Sequence, residues 1–438
     1  MVMRHGLILA GLLASLIAPS VISAQLTLDV GQRIELKAFN KLGVPLHREA
    51  HSSLVGRAPE GSKAEILELN ANRHWLRIQL ETNDQTAWVV SRYVRRIIEG
   101  EPAPENGEAP AVTEDERQVW TSAEACEQVV NAGRRMAPQQ PDRLRFVTWN
   151  IRWFPDGSSE RPGPGDEVQP TDLRWLACVL AWMNADVYAL QEIRTTEAAR
   201  EAWESVTDGL HGFTGNLWLR NMQACGSGTR QHVGFLWNVS RVMLSNPQDL
   251  WQLNGRSDND GEPCKDSLRP GHYSLLTGVE SSGADLHVIV VHFDSGRKEQ
   301  DHLTRRTAFG RIDTAVAPFL AQDQDVIILG DFNTMGQDGG ESAEDEIAAV
   351  RQLVQDEAPG FSLVEVTPAC TEYFERKGGW LDHVLVAKDM QETLSAQARV
   401  TGYCAAQNCE ELSELPAAYR SLSDHCPLVY AIRNQDQD

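Results

Sequence analysis

An aspartate and an asparagine two residues apart, Asp331 and Asn333, follow closely on four apolar residues, Val326 to Leu329, in the run DVIILGDFNT. The apolar run reads as a short strand buried on both faces, with Gly330 as its break. At the carboxyl end of a strand in an α/β sheet, a carboxylate and an amide at this spacing point the same way if the backbone stays extended. Such a pair can position a water or a phosphate. The arrangement recurs. Asn150 follows Arg145 to Trp149, Glu192 follows Val187 to Leu190, and His292 follows Leu286 to Val291. Asp382 precedes Val384 to Val386, and Asp424 and His425 precede Pro427 to Ile432. Strand ends are commonly polar, so one such residue means little. A whole set of metal-binding and acid–base types points to one shared rim.

The chemistry open to this set is phosphate ester hydrolysis. Glu192 is a hard oxygen ligand suited to magnesium or manganese, and Asn150 and Asp424 can complete the site directly or through water. A histidine beside a carboxylate can orient or deprotonate a water. The chain has no GxSxG elbow and no GxxxxGK[ST] phosphate loop, so direct attack by water is the economical reaction. Arg194, two residues after Glu192, is placed at the rim, where it can grip a phosphate. Arg220, Arg230, Arg297 and Lys298 could extend that grip. His232, His272, His302 and His383 read as structural histidines, and the tryptophans at 218, 237 and 251 as core.

These residues need strands and helices in alternation to hold them, and residues 141–434 supply that pattern. Thr171 or Asp172 caps a helix with apolar positions Leu173, Leu176, Ala177, Leu180 and Met183. A second helix is expected near Glu197 to Val206, a strand over His232 to Trp237, and a helix over Thr304 to Leu320. The expected fold class is α/β, with strand ends from antiparallel pairs converging on one rim.

At 438 residues the chain is too long for one ordinary core. Residues 1–24 carry Arg4 and His5, an apolar run from Leu7 to Ile17, and small residues at Ser23 and Ala24, which is the pattern of a secretory signal peptide. The run is short for a bilayer span, so a soluble protein of the periplasm or medium, with no transmembrane segment, is expected. Formal net charge is −22, which argues against broad adhesion to nucleic acid but leaves room for local, cation-assisted contacts. Eight cysteines in an exported chain suggest disulfides. Spacing leaves the full connectivity open, with Cys404–Cys409 and Cys225–Cys264 as candidate pairs, and Cys178 reads as a core thiol. Residues 25–99 form a first domain. Strands over Ile34 to Ala38, Ala64 to Leu69, Trp75 to Leu80 and Thr86 to Val90 suggest a small antiparallel β-barrel. Residues 100–140 are an acidic, Pro-rich linker and a lead-in helix, the helix over residues 117–136.

The first domain resembles the bacterial Src-homology-3-like domain in GVPLHREA (43–50), EGSKAEILEL (60–69), HWLRIQL (74–80) and TAWVVSRYV (86–94). That resemblance implies a cell-wall or protein ligand. The larger domain resembles the endonuclease/exonuclease/phosphatase superfamily. The carrying motifs are TWNIRWF (148–154), ALQEIR (189–194), VVHFDSG (290–296), ILGDFNT (328–334), LDHVLV (381–386) and SDHCPL (423–428). The resemblance implies a four-layered α/β sandwich like that of deoxyribonuclease I, with Glu192 as the main metal ligand helped by Asn150 and Asp424. It also implies His425 on the scissile phosphate supported by Asp382, Asp331 and Asn333 placing the water or phosphate, and His292 as a second catalytic histidine. A monomeric, Mg2+- or Mn2+-dependent nuclease acting on DNA or RNA is expected. A sphingomyelinase-like phosphodiesterase or phosphatase acting on lipid headgroups, and a non-enzymatic cell-wall-binding protein, are the alternatives.

Overall fold

The computed structural model describes residues 30, 33–36, 44–49, 54–59, 62–70, 75–83, 85–90 and 94–96 of a first unit. Of a second unit it describes 112–158, 169–223, 231–256, 268–280, 283–356, 360–394 and 397–437. The chain divides into two compact units at residues 105 and 106. The expected signal peptide, most of the expected linker, Cys225, Arg230 and Cys264 lie outside the described residues.

The first unit is all-β among its described residues. Its strands β1 (Arg33–Leu36), β2 (Val44–His47), β3 (Leu54–Ala58), β4 (Lys63–Leu69), β5 (Trp75–Leu80), β6 (Thr86–Val90) and β7 (Val94–Arg96) pair antiparallel in the order β3-β2-β6-β5-β4-β1-β7. Alternation drives it: along β4, Ala64 and Ile66 are buried while Lys63 and Glu65 are exposed. Ile34, Ile66, Leu76, Ile78 and Val89 form its core.

The second unit opens with α1 (Glu114–Val119) and α2 (Ala123–Asn131), then β8 (Arg143–Phe154), α3 (Leu173–Met183), β9 (Val187–Ile193) and α4 (Glu197–Thr214). Strands β10 (Trp218–Met222), β11 (His232–Asn238), β12 (Val242–Leu250), β13 (Gly271–Gly278) and β14 (Asp285–His292) follow. Next come α5 (Glu299–Phe309), α6 (Ile312–Leu320), β15 (Val326–Asp331), α7 (Ala343–Asp356), β16 (Phe361–Leu363), β17 (Glu365–Thr367), β18 (Glu372–Phe374) and β19 (Lys377–Gly379). The chain closes with β20 (Asp382–Ala387), β21 (Gln397–Val400), α8 (Tyr403–Gln407), α9 (Ala417–Ser421) and β22 (Leu428–Arg433).

Two sheets result, ordered β10-β11-β9-β8-β22-β21-β17 and β12-β13-β14-β15-β20-β16, with β18-β19 as a separate hairpin. Strands β8 and β9 lie against β14 and β15, so the sheets face one another. Helices α3 and α4 cover the first sheet, through contacts such as Tyr188 Oη to the Leu180 carbonyl and Phe154 against Trp203. Helices α6 and α7 pack by β15 and β16 of the second. The architecture is a four-layered α/β sandwich. Strands buried on both faces explain why β15 is wholly apolar up to its last two residues.

Several expectations need correction. Gly330 does not break its strand, because β15 runs through it to Asp331. Its φ of 152° and close approach to β14 explain the glycine, since a Cβ there would lie 2.0 Å from the Val291 carbonyl oxygen. The single helix over Thr304 to Leu320 is two helices separated at Gly310. The lead-in helix is likewise two, each started by its own cap at Thr113 and Ser122. Glu116, read as linker, is buried in α1 and accepts the Thr401 hydroxyl at 2.5 Å. Cys178 is no free thiol, being bonded to Cys126, and Cys404 pairs with Cys426 and Cys409 with Cys370. Positive φ at Asn408 and Cys409 turns the chain as α8 ends, so nearness in sequence does not bring Cys409 to Cys404.

Candidate active site

Sheet register sets the site. Parallel pairing of β14 with β15 puts His292 beside Asp331, and antiparallel pairing of β15 with β20 puts Asp331 beside Asp382. In the facing sheet, β8 runs parallel to β9 with Asn150 beside Gln191, one residue before Glu192. A register shift between Asn150 and Phe154 and φ values of 37° and 46° at Arg152 and Trp153 bend the end of β8. The bend turns the Trp153 amide onto Glu192 Oε2 at 2.9 Å. Glu192 itself has φ 62°, a strained backbone for a glutamate.

The two sheets meet through Asn150. Its Nδ2 donates to Glu192 Oε1 at 3.1 Å and to Asp331 Oδ2 at 3.0 Å. Its Oδ1 accepts the Arg152 amide at 3.0 Å. Asp331 Oδ1 accepts the Asn333 amide at 2.9 Å, and Asn333, at φ 51°, donates Nδ2 to the Phe293 carbonyl at 3.1 Å. Two imidazoles approach the other Asp331 oxygen: His292 Nε2 at 3.4 Å and His425 Nε2 at 3.7 Å from Oδ2. His425 Nδ1 sits 2.8 Å from Asp382 Oδ2. Ser423 ties the corner together, donating Oγ to the Asn150 carbonyl and accepting the His425 amide. Asp424 is half-buried beside them, and its charge acts on Glu192. Eight of the nine expected site residues therefore converge.

Arg194 does not join them. It is buried and its guanidinium is paired with Asp156, so its charge is already met by an acid of this chain. A further cation at the site is Arg269, which the sequence reading missed. Arg269 donates to the carbonyls of His292 and Phe293 at 3.1 Å each, and its charge acts on Glu192 and Asp331. It stands just before β13, as Asp424 stands before β22, so the rule of polar residues flanking apolar strands would have found it. Glu372, on a three-residue strand, gave no periodic signal.

Electrostatics divide these groups. Burial pushes the Asp331 carboxyl up to about 7, with Asp382 adding and His425 opposing. Burial and the neighbouring Asp424 raise Glu192. Burial, Arg269 and His425 hold His292 well below the ordinary histidine range, so it is neutral. Burial disfavours charge on His425 too, but Asp382, Asp331 and Asp424 outweigh it and hold its pKa well above that range.

The donor set fits a hard divalent cation. Mutually repelling, half-buried Glu192 and Asp424 are oxygen donors that such an ion would relieve. Among the described residues no three His, Cys, Asp or Glu side chains are gathered into a ready-made cage. Magnesium commonly binds through one or two carboxylates and keeps its waters.

No family model and no curated protein matches the chain. Solved structures are similar to it. One is an endonuclease/exonuclease/phosphatase structure from Bacteroides vulgatus, at 15% identity over 67% of this chain and 99% of that one, TM-score 0.45. Another, of that family from Bacteroides thetaiotaomicron, has 13% identity over 68% and 100%, TM-score 0.44. The human Nocturnin catalytic domain with bound sulfate has 14% identity over 68% and 96%, TM-score 0.42. At these values the chemistry below rests on this chain's own residues.

Proposed function

We propose that the second unit is a phosphodiester hydrolase using direct attack of water, with nucleic acid as its substrate and Mg2+ or Mn2+ as its ion. The observation that carries this reading is Asp331 Oδ2, shared by the amide of Asn150 and approached by two imidazoles of opposite charge state. A carboxylate with a pKa of about 7 is matched to taking a proton from water near neutral pH. Neutral His292 lies 3.4 Å from it and can hold the same water. Asn333 fixes the Asp331 carboxylate through its amide. His425, kept cationic by Asp382, offers Nε2–H to a phosphoryl or leaving oxygen. Arg269 adds a guanidinium at the same mouth. Glu192 and Asp424 would hold the ion, with Asn150 contributing directly or through water, and when bound the ion neutralises phosphoryl charge. The chain's export and a cell-wall or protein ligand for the first unit belong to this proposal.

One observation favours a second reading, a phosphodiesterase acting on lipid headgroups. Phe374, 67% exposed, stands at the end of the β18–β19 hairpin, whose root reaches His425. The test is to offer plasmid DNA, RNA, sphingomyelin and a chromogenic phosphodiester side by side, with Mg2+ and with chelator. Cation-dependent cleavage of nucleic acid, lost in Glu192→Ala, is the expected result. Hydrolysis of lipid alone would replace the nuclease reading. No hydrolysis of any, with Glu192→Ala indistinguishable from wild type, would favour a binding protein.

A further inference from the structure

The hairpin β18–β19 brings one more acid to the site. Glu372 pairs with Gly379 on one side and with His425 on the other, both antiparallel. Directly opposed residues in antiparallel pairs present their side chains on the same face. The Glu372 carboxyl therefore rises on the face that carries the His425 imidazole. Gly379 leaves it room, since a Cβ there would lie 3.2 Å from Glu372 Oε2. The hairpin is fixed in place: the Tyr373 amide donates to the Asp424 carbonyl at 2.9 Å, and the Cys370–Cys409 disulfide closes its base.

Glu372 is only 8% exposed, yet among the described residues no hydrogen-bond donor reaches its carboxyl. Neither of its oxygens is among the fully buried polar atoms without a partner, so the carboxyl keeps an opening beside His425 through which a donor on the substrate can reach it. Beside a phosphodiester reacting at this site, one such donor is the hydroxyl on the carbon adjacent to the one that bears the ester oxygen, which ribose has and deoxyribose lacks.

We propose that Glu372 is a specificity residue that accepts the 2′-hydroxyl beside the scissile phosphate, so that RNA is cleaved in preference to DNA. This rests on the nuclease reading of the site. Burial and then the surrounding Asp424, Asp331 and Asp382 push the Glu372 carboxyl up to about 8, with His425 opposing.

The test compares three oligonucleotides of one sequence: all-ribose, all-deoxyribose and 2′-fluoro, which keeps the substituent but has no proton to donate. With wild-type enzyme and Mg2+, kcat/KM should be about 10- to 100-fold higher on ribose than on either analogue. Glu372→Gln, which keeps the accepting oxygen, should preserve most of that ratio. Glu372→Ala should bring it to within about threefold of unity, at a melting temperature no lower than wild type. Equal wild-type rates on all three, or a ribose preference surviving Glu372→Ala, overturn the proposal. So does a Glu372→Ala variant that merely needs more Mg2+ on every substrate. Cleavage of none of them by wild type sinks the nuclease reading instead, and this inference with it.

Discussion

The two histidines of the site sit on either side of one carboxylate and differ in everything around them. His425 comes from the sheet of β8, β9 and β22 and is backed by Asp382, with Asp424 and Glu372 close by. His292 comes from the facing sheet, and behind it Arg269 binds its own carbonyl. The same side chain is thus driven to a cation in one half and to a neutral ring in the other. The means of holding the halves differ too. Around His425, disulfides Cys404–Cys426 and Cys370–Cys409 tie down the adjacent segments. Around His292 and Asp331, buried Arg305 pairs with buried Glu346 at 2.9 Å and donates to the carbonyls of Asp294, Gly296 and Gly336. That ion pair clamps the loops after β14 and β15, which carry Asn333. The charge of each ring is set by what stands behind it, not by the ring itself.

The contrast can be broken most directly at the rings. His425→Ala should lower kcat by about 10^3- to 10^4-fold and His292→Ala by about 10^2-fold, read from steady-state kinetics on one phosphodiester. Equal losses would mean that the difference in charge has no bearing on rate. Next in size is the clamp. Glu346→Gln leaves Arg305 buried without its partner and should cost about 3–5 kcal/mol in denaturant unfolding. Replacing both by apolar residues of similar volume should restore most of it. Thiol reductant should leave the clamp alone and loosen the His425 half, so the two treatments should add rather than overlap.

Asp382→Asn sharpens the comparison further. It keeps shape but removes the charge that sustains His425, so kcat should fall by about 10^2-fold. With less support for the cation, His425 loses its proton at lower pH, and the alkaline limb of the pH–rate profile should move to lower pH. A profile unmoved by Asp382→Asn would show that His425 is not the acid.

Much of this was legible because the site residues lie at the ends of doubly buried strands, where an apolar run makes the boundary plain. Asn150, Glu192, His292, Asp331 and Asp382 were found that way, and alternation outlined β4 to β6 in the first unit. What stayed hidden lacks such a run. The hairpin with Glu372 has strands of three residues, and β12, whose burial breaks off over Asn246, Pro247 and Gln248, shows no sustained period. Long-range pairing hid the rest: Arg194 could be placed by its neighbours Gln191 and Glu192 but not by Asp156, which pairs with it. The cysteine pairs follow three-dimensional adjacency that spacing does not encode.

The smallest expected effect is thermodynamic, and it tests whether the site's charges are as crowded as the contrast requires. Asp331 and Glu372 have carboxyls raised to about 7 and about 8, and His425 is also raised. Each of these groups binds its proton more tightly folded than unfolded, so each stabilises the fold below those values and loses that contribution as pH rises through them. His292, whose pKa is depressed, works the other way, but only below the ordinary histidine range of about 6.5. Between about pH 6.5 and 9 only the first group acts. The metal-free protein should therefore melt a few degrees lower at the top of that window than at the bottom. Saturating Mg2+ should flatten the slope, because an ion held by Glu192 and Asp424 offsets the same repulsion without protons. A metal-free melting temperature that is flat or rising across the window would mean these carboxyls are already ionised in the folded chain, and that the two halves of the site are less different than their surroundings imply.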